Sequence, residues 1–179
     1  MSNDFRLNDD ALFEGKDFVY GLPELQKEKI ESASYIANPG CFATCIQLAL
    51  LPLAKAGIIK NEIHVNAITG STGAVQNPTV TSHFSWRNTN VSVYKAVTHQ
   101  HLGEITESIV SLQANMNHDI NFVPVRGNFT KGIFGSIYTE CDLSLENAKK
   151  LYADFYKDQP FVSISEKGIH LKQVINSNK

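Results

Sequence analysis

Several things are scarce in this 179-residue chain, and each scarcity excludes something. No apolar run approaches the ~20 residues that cross a bilayer. The longest, residues 46–56, is broken by Gln47 and Lys55. The first residues do not follow the charged-then-apolar pattern of a secretory signal. Cysteine occurs three times, an odd count, so no disulfide framework is expected and a reduced cytoplasm is the expected compartment. Positive charge is also sparse. Sixteen Lys and Arg stand against 18 Asp and Glu, a net charge of -2, and only Arg6, Arg87 and Arg126 are arginines. That balance leaves no electrostatic footprint for nucleic acid. Internal repeats, low-complexity tracts, Gly-x-Gly-x-x-Gly and phosphate-loop motifs are all missing.

What is present reads as one globular domain, or one and a piece, with 42% hydrophobic residues. Residues 1–20 are polar and irregular. A short helix is expected over 24–32 and a brief strand over 34–37, running into the chain reversal Asn38-Pro39-Gly40. Residues 41–56 are apolar nearly all round, the pattern of a buried helix, with Gly57 as its stop. Alternation predicts a strand over 62–69, then a tight turn at Gly70-Ser71-Thr72-Gly73. A polar excursion fills 77–90 and a further strand is expected over 90–97. Thr98 is placed to cap a helix carrying Leu102, Ile105, Ile109 and Leu112 on one face. Strands are expected over 119–125 and 132–141, a helix after the Ser144 cap, and short edge strands over 161–164 and 169–175. The sum is an α+β fold: a mixed or mostly antiparallel sheet covered by two or three helices.

Cys41 is the most informative residue. It follows Asn38-Pro39-Gly40 and opens a long helix, where free N–H groups and the helix dipole lower a thiol pKa and favour a nucleophilic thiolate. Cys45 and Cys141 lack that setting. The plain alternative is that all three are small core hydrophobes. A reactive thiol needs a proton partner, and His99 and His101 both fall in the expected first turn after Thr98, with Glu104 one turn on to orient His101. The alternative there is a solvated helix start. Cys41, Cys45, His99 and His101 do not have zinc-finger spacing, so no metal is expected. Arg126 and Lys131 flank a glycine-containing loop suited to a carboxylate or phosphate, as a loop arginine can be. Arg87 and Lys95 bracket the Trp86 excursion, and each cation taken singly is commonly a solvated surface charge. The turn at 70–73 can present N–H groups to an anion, but its pattern is short and common.

Taken together, these residues resemble the N-acetyl-gamma-glutamyl-phosphate reductases, NADPH-dependent enzymes of arginine biosynthesis. The likeness runs in order through Asp4-Phe5-Arg6-Leu7, Val19-Tyr20-Gly21-Leu22-Pro23-Glu24, Ala37-Asn38-Pro39-Gly40-Cys41-Phe42-Ala43-Thr44, Gly70-Ser71-Thr72-Gly73-Ala74, His83-Phe84, His99-Gln100-His101-Leu102-Gly103-Glu104-Ile105, Phe122-Val123-Pro124 and Thr130-Lys131-Gly132-Ile133. The resemblance implies that Cys41 attacks an acyl phosphate to form a thioester, which hydride from NADPH takes to a semialdehyde. It implies His101 as the acid–base group, with His99 its rival, and Ser71, Thr72, Arg126 and Lys131 as substrate contacts. The implied fold is the C-terminal domain of the glyceraldehyde-3-phosphate dehydrogenase type, assembled as a dimer or tetramer through its sheet face.

The chain departs from that family in carrying Cys45 for a small residue, Lys131 for an arginine, and Arg126 for an apolar residue, where it has room to meet an additional acid group. It also starts near the end of the family's Rossmann domain. Residues 1–36 are therefore expected to be the tail of a nucleotide-binding domain and 37–179 the catalytic and oligomerisation domain, inactive in reduction by itself. Two other readings stand beside this one: a cofactor-independent Cys/His acyl transferase or hydrolase, for which Cys41 and His101 suffice, and a non-enzymatic module that keeps Cys41 as packing.

Overall fold

A computed structural model describes residues 12–13, 16–74 and 79–177. Most of the lead-in, the start of the 77–90 excursion and the last two residues therefore lie outside the described residues. In chain order the elements are β1 (Leu12–Phe13), β2 (Lys16–Asp17), β3 (Val19–Tyr20), α1 (Pro23–Glu31), β4 (Ile36–Ala37), α2 (Cys41–Lys55), β5 (Ile63–Thr69), α3 (Phe84–Arg87), β6 (Ser92–Val93), α4 (His101–Leu112), β7 (Ile120–Arg126), β8 (Ile133–Tyr138) and α5 (Leu145–Tyr156). The chain divides into two compact units, Met1–Ile58 with Gln100–Met116, and Ile59–His99 with Asn117–Lys179.

In the first unit α2 packs on α4. The all-round apolar pattern of α2 has the meaning expected of it: Phe42, Ala43, Ile46, Leu50, Leu51 and Ala54 are buried, and α4 buries Ile105 and Ile109. At about 25 cal/mol per Å2 each of the buried Phe, Ile and Leu side chains contributes ~1.5–3 kcal/mol. The end of α2 is a Schellman motif. Gly57 takes φ +68, its N–H bonds to Ala54 O at 2.9 Å, and the Ile58 N–H bonds to Leu53 O at 3.2 Å. Beside the helices, β3 and β4 pair in parallel.

The second unit holds a four-stranded sheet in the order β6-β7-β5-β8. β5 and β7 are parallel, while β8 on β5 and β6 on β7 are antiparallel, so the sheet is mixed and the α+β expectation holds. Alternation in β5 sends Ile63, Val65, Ala67 and Thr69 inward and leaves His64, Asn66 and Ile68 on the other face. α5 starts where expected, with Ser144 Oγ accepting from the Asn147 N–H at 3.2 Å.

Three expectations fail for identifiable reasons. The strand over 90–97 shrinks to Ser92–Val93, because Lys95 and Val97 adopt φ +44 and +51 and break the regular ladder, although the Val97 N–H still bonds to Phe122 O at 2.8 Å. Thr98 does not cap α4. The helix begins at His101, after Gln100 and without a side-chain cap. Segments 161–164 and 169–175 are irregular apart from a 3-10 turn at Leu171–Gln173, and among the described residues no strand pairs with them. The excursion after residue 79 is more ordered than its composition suggests, with a 3-10 turn at Val80–Ser82 and α3 capped by His83.

A Cβ at position 57 meets nothing within 4 Å, so Gly57→Ala isolates the backbone term. It should lower the urea midpoint of the chain by the equivalent of ~1–2 kcal/mol, and Gly57→Asn by less.

Candidate active site

The first unit gathers four of the sequence-marked groups. Cys41 is the first residue of α2, preceded by Gly40 at φ -64 and ψ 149, and it is exposed. Gly40 is glycine for reasons of space: a Cβ there would fall 2.6 Å from His101 Cδ2 and closer still to Cε1 and Nε2. The His101 imidazole therefore lies directly against the residue before the thiol. His101 opens α4, and Glu104 follows one turn later on the same side. Glu104 Oε2 accepts two hydrogen bonds, from the Gly40 N–H at 3.2 Å and from the Tyr20 hydroxyl at 2.7 Å. The same hydroxyl accepts from Gln47 Nε2 at 2.6 Å, and Gln47 is fully buried in α2. Tyr20 and Gln47 were not marked by sequence reasoning. The signal for them was faint: a glutamine at a core position of an otherwise apolar helix, which must bond to something.

The electrostatics differ from the expectation of a depressed thiol. Burial pushes the Cys41 thiol above its ordinary value. The N–H groups of Phe42 and of Cys41 itself oppose that shift, and the Glu104 carboxylate adds to it. The residue as a whole reaches solvent, so the desolvation is local to the sulfur. Cys45 is pushed up to about 11, first by burial and then by Cys41, which leaves it a packing residue at neutral pH. Burial likewise raises Tyr20, keeping its hydroxyl protonated as a donor to Glu104.

His99 is placed differently from His101, although the sequence suggested a shared first turn. It precedes the helix, belongs to the second unit, and is 4% exposed between the rings of Tyr94 and Phe122, at 5.7 and 5.4 Å.

Ser71, Thr72, Arg126 and Lys131 lie at one end of the sheet, where the parallel strands β5 and β7 both finish. Thr69 stands opposite Arg126, and the Gly127 N–H bonds to Thr69 O at 2.9 Å. The turn after β5 does not offer its first three N–H groups to an anion: Gly70, Ser71 and Thr72 donate to Gly132, Phe129 and Thr130 carbonyls. The Thr72 hydroxyl also donates to Thr130 O at 2.9 Å. Lys131 is exposed, and the Arg126 guanidinium lies over the Tyr94 ring at 3.8 Å. Arg87, weighed in the sequence as a surface charge, is 7% exposed and reaches the same sheet end through Gly127. Among the described residues no group of three or more His, Cys, Asp and Glu is arranged to hold a metal ion. No described helix is long and apolar enough to cross a membrane.

The class of protein comes from comparison with known proteins. The family model "semialdehyde dehydrogenase, dimerisation domain" matches residues 41–179, and the chain belongs to that family. Its curated relatives carry a more particular name, N-acetyl-gamma-glutamyl-phosphate reductase. That of Flavobacterium johnsoniae is 59% identical over 179 residues, covering 100% of this chain and 55% of the relative. That of Parabacteroides distasonis is 56% identical over 163 residues, covering 91% and 51%. The chain thus spans about half the length of the curated relatives it matches. Among solved structures, aspartate semialdehyde dehydrogenase II from Vibrio cholerae superposes with a TM-score of 0.61 at 14% identity, over 89% of this chain and 55% of that one, a likeness of fold.

Because Glu104 helps to hold the Cys41 thiol protonated, Glu104→Gln should move the midpoint of Cys41 alkylation by iodoacetamide to lower pH. Labelling followed by mass spectrometry across pH 6–10 checks this, and an unmoved or raised midpoint contradicts the assignment.

Proposed function

We propose that this chain carries the catalytic and subunit-contact part of an N-acyl-gamma-glutamyl-phosphate reductase, an NADP-dependent oxidoreductase of arginine biosynthesis, with that role residing in residues 37–179. The observation that carries the reading is the packing of His101 on Gly40 beside Cys41, with Glu104 holding the Gly40 N–H. Likeness to reductases at 59% identity supports it.

In this reading His101 takes the Cys41 proton and the thiolate attacks the carbonyl carbon of an acyl phosphate. A carbon–sulfur bond forms, the carbon–oxygen bond to phosphate breaks, phosphate departs with its electron pair, and a thioester remains on Cys41. The N–H groups of Cys41 and Phe42 at the helix start stabilise the oxyanion. The raised thiol makes the base necessary, since little free thiolate exists at neutral pH without it. His101 serves rather than His99, because His99 is enclosed by aromatic rings in the other unit. Ser71, Thr72, Arg126 and Lys131 are the contacts proposed for the anionic substrate, Arg126 and Lys131 by their charge. NADP supplies hydride for reduction of the thioester. No described segment of this chain has the Gly-rich strand-to-helix turn of a dinucleotide site, and the steps assigned to these residues stop at the thioester.

The subunit contact is the outer face of the second unit's sheet. Phe134 and Tyr138 of β8 are exposed there, beside Ile68, Asn66 and His64 of β5, with His64 stacked on Tyr138 at 5.3 Å. A sheet face left this apolar fits a second copy of the chain. A cytoplasmic setting suits three free cysteines.

Incubation with an N-acyl-gamma-glutamyl phosphate should add the mass of the acyl group to Cys41, with one phosphate released per chain and no reduction on adding NADPH. Cys41→Ala should abolish the adduct. Continuous release of free acid without nucleotide would instead establish a hydrolase. For the interface, Tyr138→Glu combined with Phe134→Asp should convert a dimer to monomer in sedimentation velocity, and a monomeric parent chain would remove the proposed contact.

A further inference from the structure

Arg87 presents an electrostatic problem that its own surroundings do not solve. The residue as a whole is 7% exposed in the second unit. Nε donates to Thr81 O at 2.7 Å and Nη1 to Gly127 O at 3.2 Å, so neutral carbonyls fix its plane but do not neutralise its charge. The residue before Gly127 is Arg126, a second guanidinium on the same sheet end. Burial first, and then the Arg126 charge, lower the Arg87 pKa. Arg126 is oriented as firmly as Arg87. One face of its guanidinium lies on the Tyr94 ring at 3.8 Å, which leaves the N–H edge for an in-plane partner. Among the described residues neither arginine forms an ion pair with a carboxylate.

The sequence shows why. No Asp or Glu occurs over residues 63–103 or over residues 120–139, the two stretches that build this end of the sheet. Lys95 falls in the first of them and Lys131 in the second, so with the two arginines the stretches hold four Lys and Arg and no acid of their own. Buried charges are ordinarily paired, and two like guanidiniums brought together repel unless an anion lies between them.

We propose that Arg87 and Arg126 form a two-guanidinium clamp for an oxyanion, carboxylate or phosphate, at the end of β5 and β7. It builds on the reading that this sheet end receives the substrate, and makes Arg87 the buried half of the binding pair. Arg87, locked by two carbonyls, sets the position of the anion. Arg126, backed by Tyr94, closes on it with its edge. A planar fork on each side selects a trigonal or tetrahedral oxyanion over a spherical halide.

With three arginines in the whole chain, the test can be read residue by residue. The 15N-labelled chain gives one Arg Nε–H resonance for each, assigned with Arg6→Gln and Arg126→Gln. Titrations with inorganic phosphate and with acetate, at constant ionic strength set by chloride, should shift the Arg87 and Arg126 signals together to one saturation while Arg6 stays still. The anion that saturates first identifies the oxyanion preferred. Arg126→Gln should weaken the Arg87 titration by about tenfold, and Arg126→Lys, which keeps the charge but loses the fork, by less. The clamp is overturned if neither anion shifts Arg87, if Arg6 moves in parallel with the other two, or if Arg126→Gln leaves the Arg87 titration unchanged. None of these readouts involves Cys41, so failure of the clamp and failure of the thioester chemistry are seen separately.

Discussion

The first unit depends on one oxygen atom. Glu104 Oε2 receives the Tyr20 hydroxyl and the Gly40 N–H, and so ties the strand β3, the loop before α2 and the helix α4 to a single point. Each of these pieces is weak alone. β3 is two residues long, the loop is a proline–glycine reversal, and α4 starts without a side-chain cap. Gln47, sunk in α2, aims its amide at the same tyrosine and registers α2 against the others. Charge-assisted bonds of this kind are stronger than neutral ones, and in a partly dry setting each also carries a large penalty for being left unmade.

That joint does opposing things to the thiol. By holding the Gly40 N–H it fixes where α2 begins and hence where the N–H groups of Cys41 and Phe42 point. By its own charge it resists ionisation of Cys41. A site tuned only for a free thiolate would not place a carboxylate there. The proposed transfer of the proton to His101 during attack tolerates it, because no free thiolate then has to stand beside the carboxylate before the substrate arrives.

The legible parts of the chain were those with a period or a punctuation mark. The apolar run of α2, its Gly57 stop, the alternation of β5 and the Ser144 cap all carry their cause in neighbouring residues, and they stand where the pattern puts them. Misreadings arose where the deciding partner is distant. Val91 and Val93 alternate like a strand, yet two left-handed residues soon after them break the regular ladder. Residues 161–164 have strand composition and, among the described residues, no strand to pair with. At the site, Cys41 with its Asn38-Pro39-Gly40 lead was visible from local sequence. His99 and His101 are alike in the sequence and unlike in space, since a two-residue step carries one into aromatic packing and the other onto Gly40. Arg87, Tyr20 and Gln47 were obscure because their partners lie 40, 84 and 27 positions away.

Gly40 has one more implication. The residue before a helix usually lends a side-chain oxygen to the first free N–H groups, and here that residue has no side chain because the imidazole occupies the space. The helix forgoes its customary cap, and the Cys41 sulfur stands in for it by accepting from the N–H groups of Cys41 and Phe42. In the proposed reaction, acylation would remove the charge of the attacking thiolate and leave the same two donors to the new carbonyl oxygen. A deficit in helix capping would thereby become a pair of donors that change clients as that reaction proceeds.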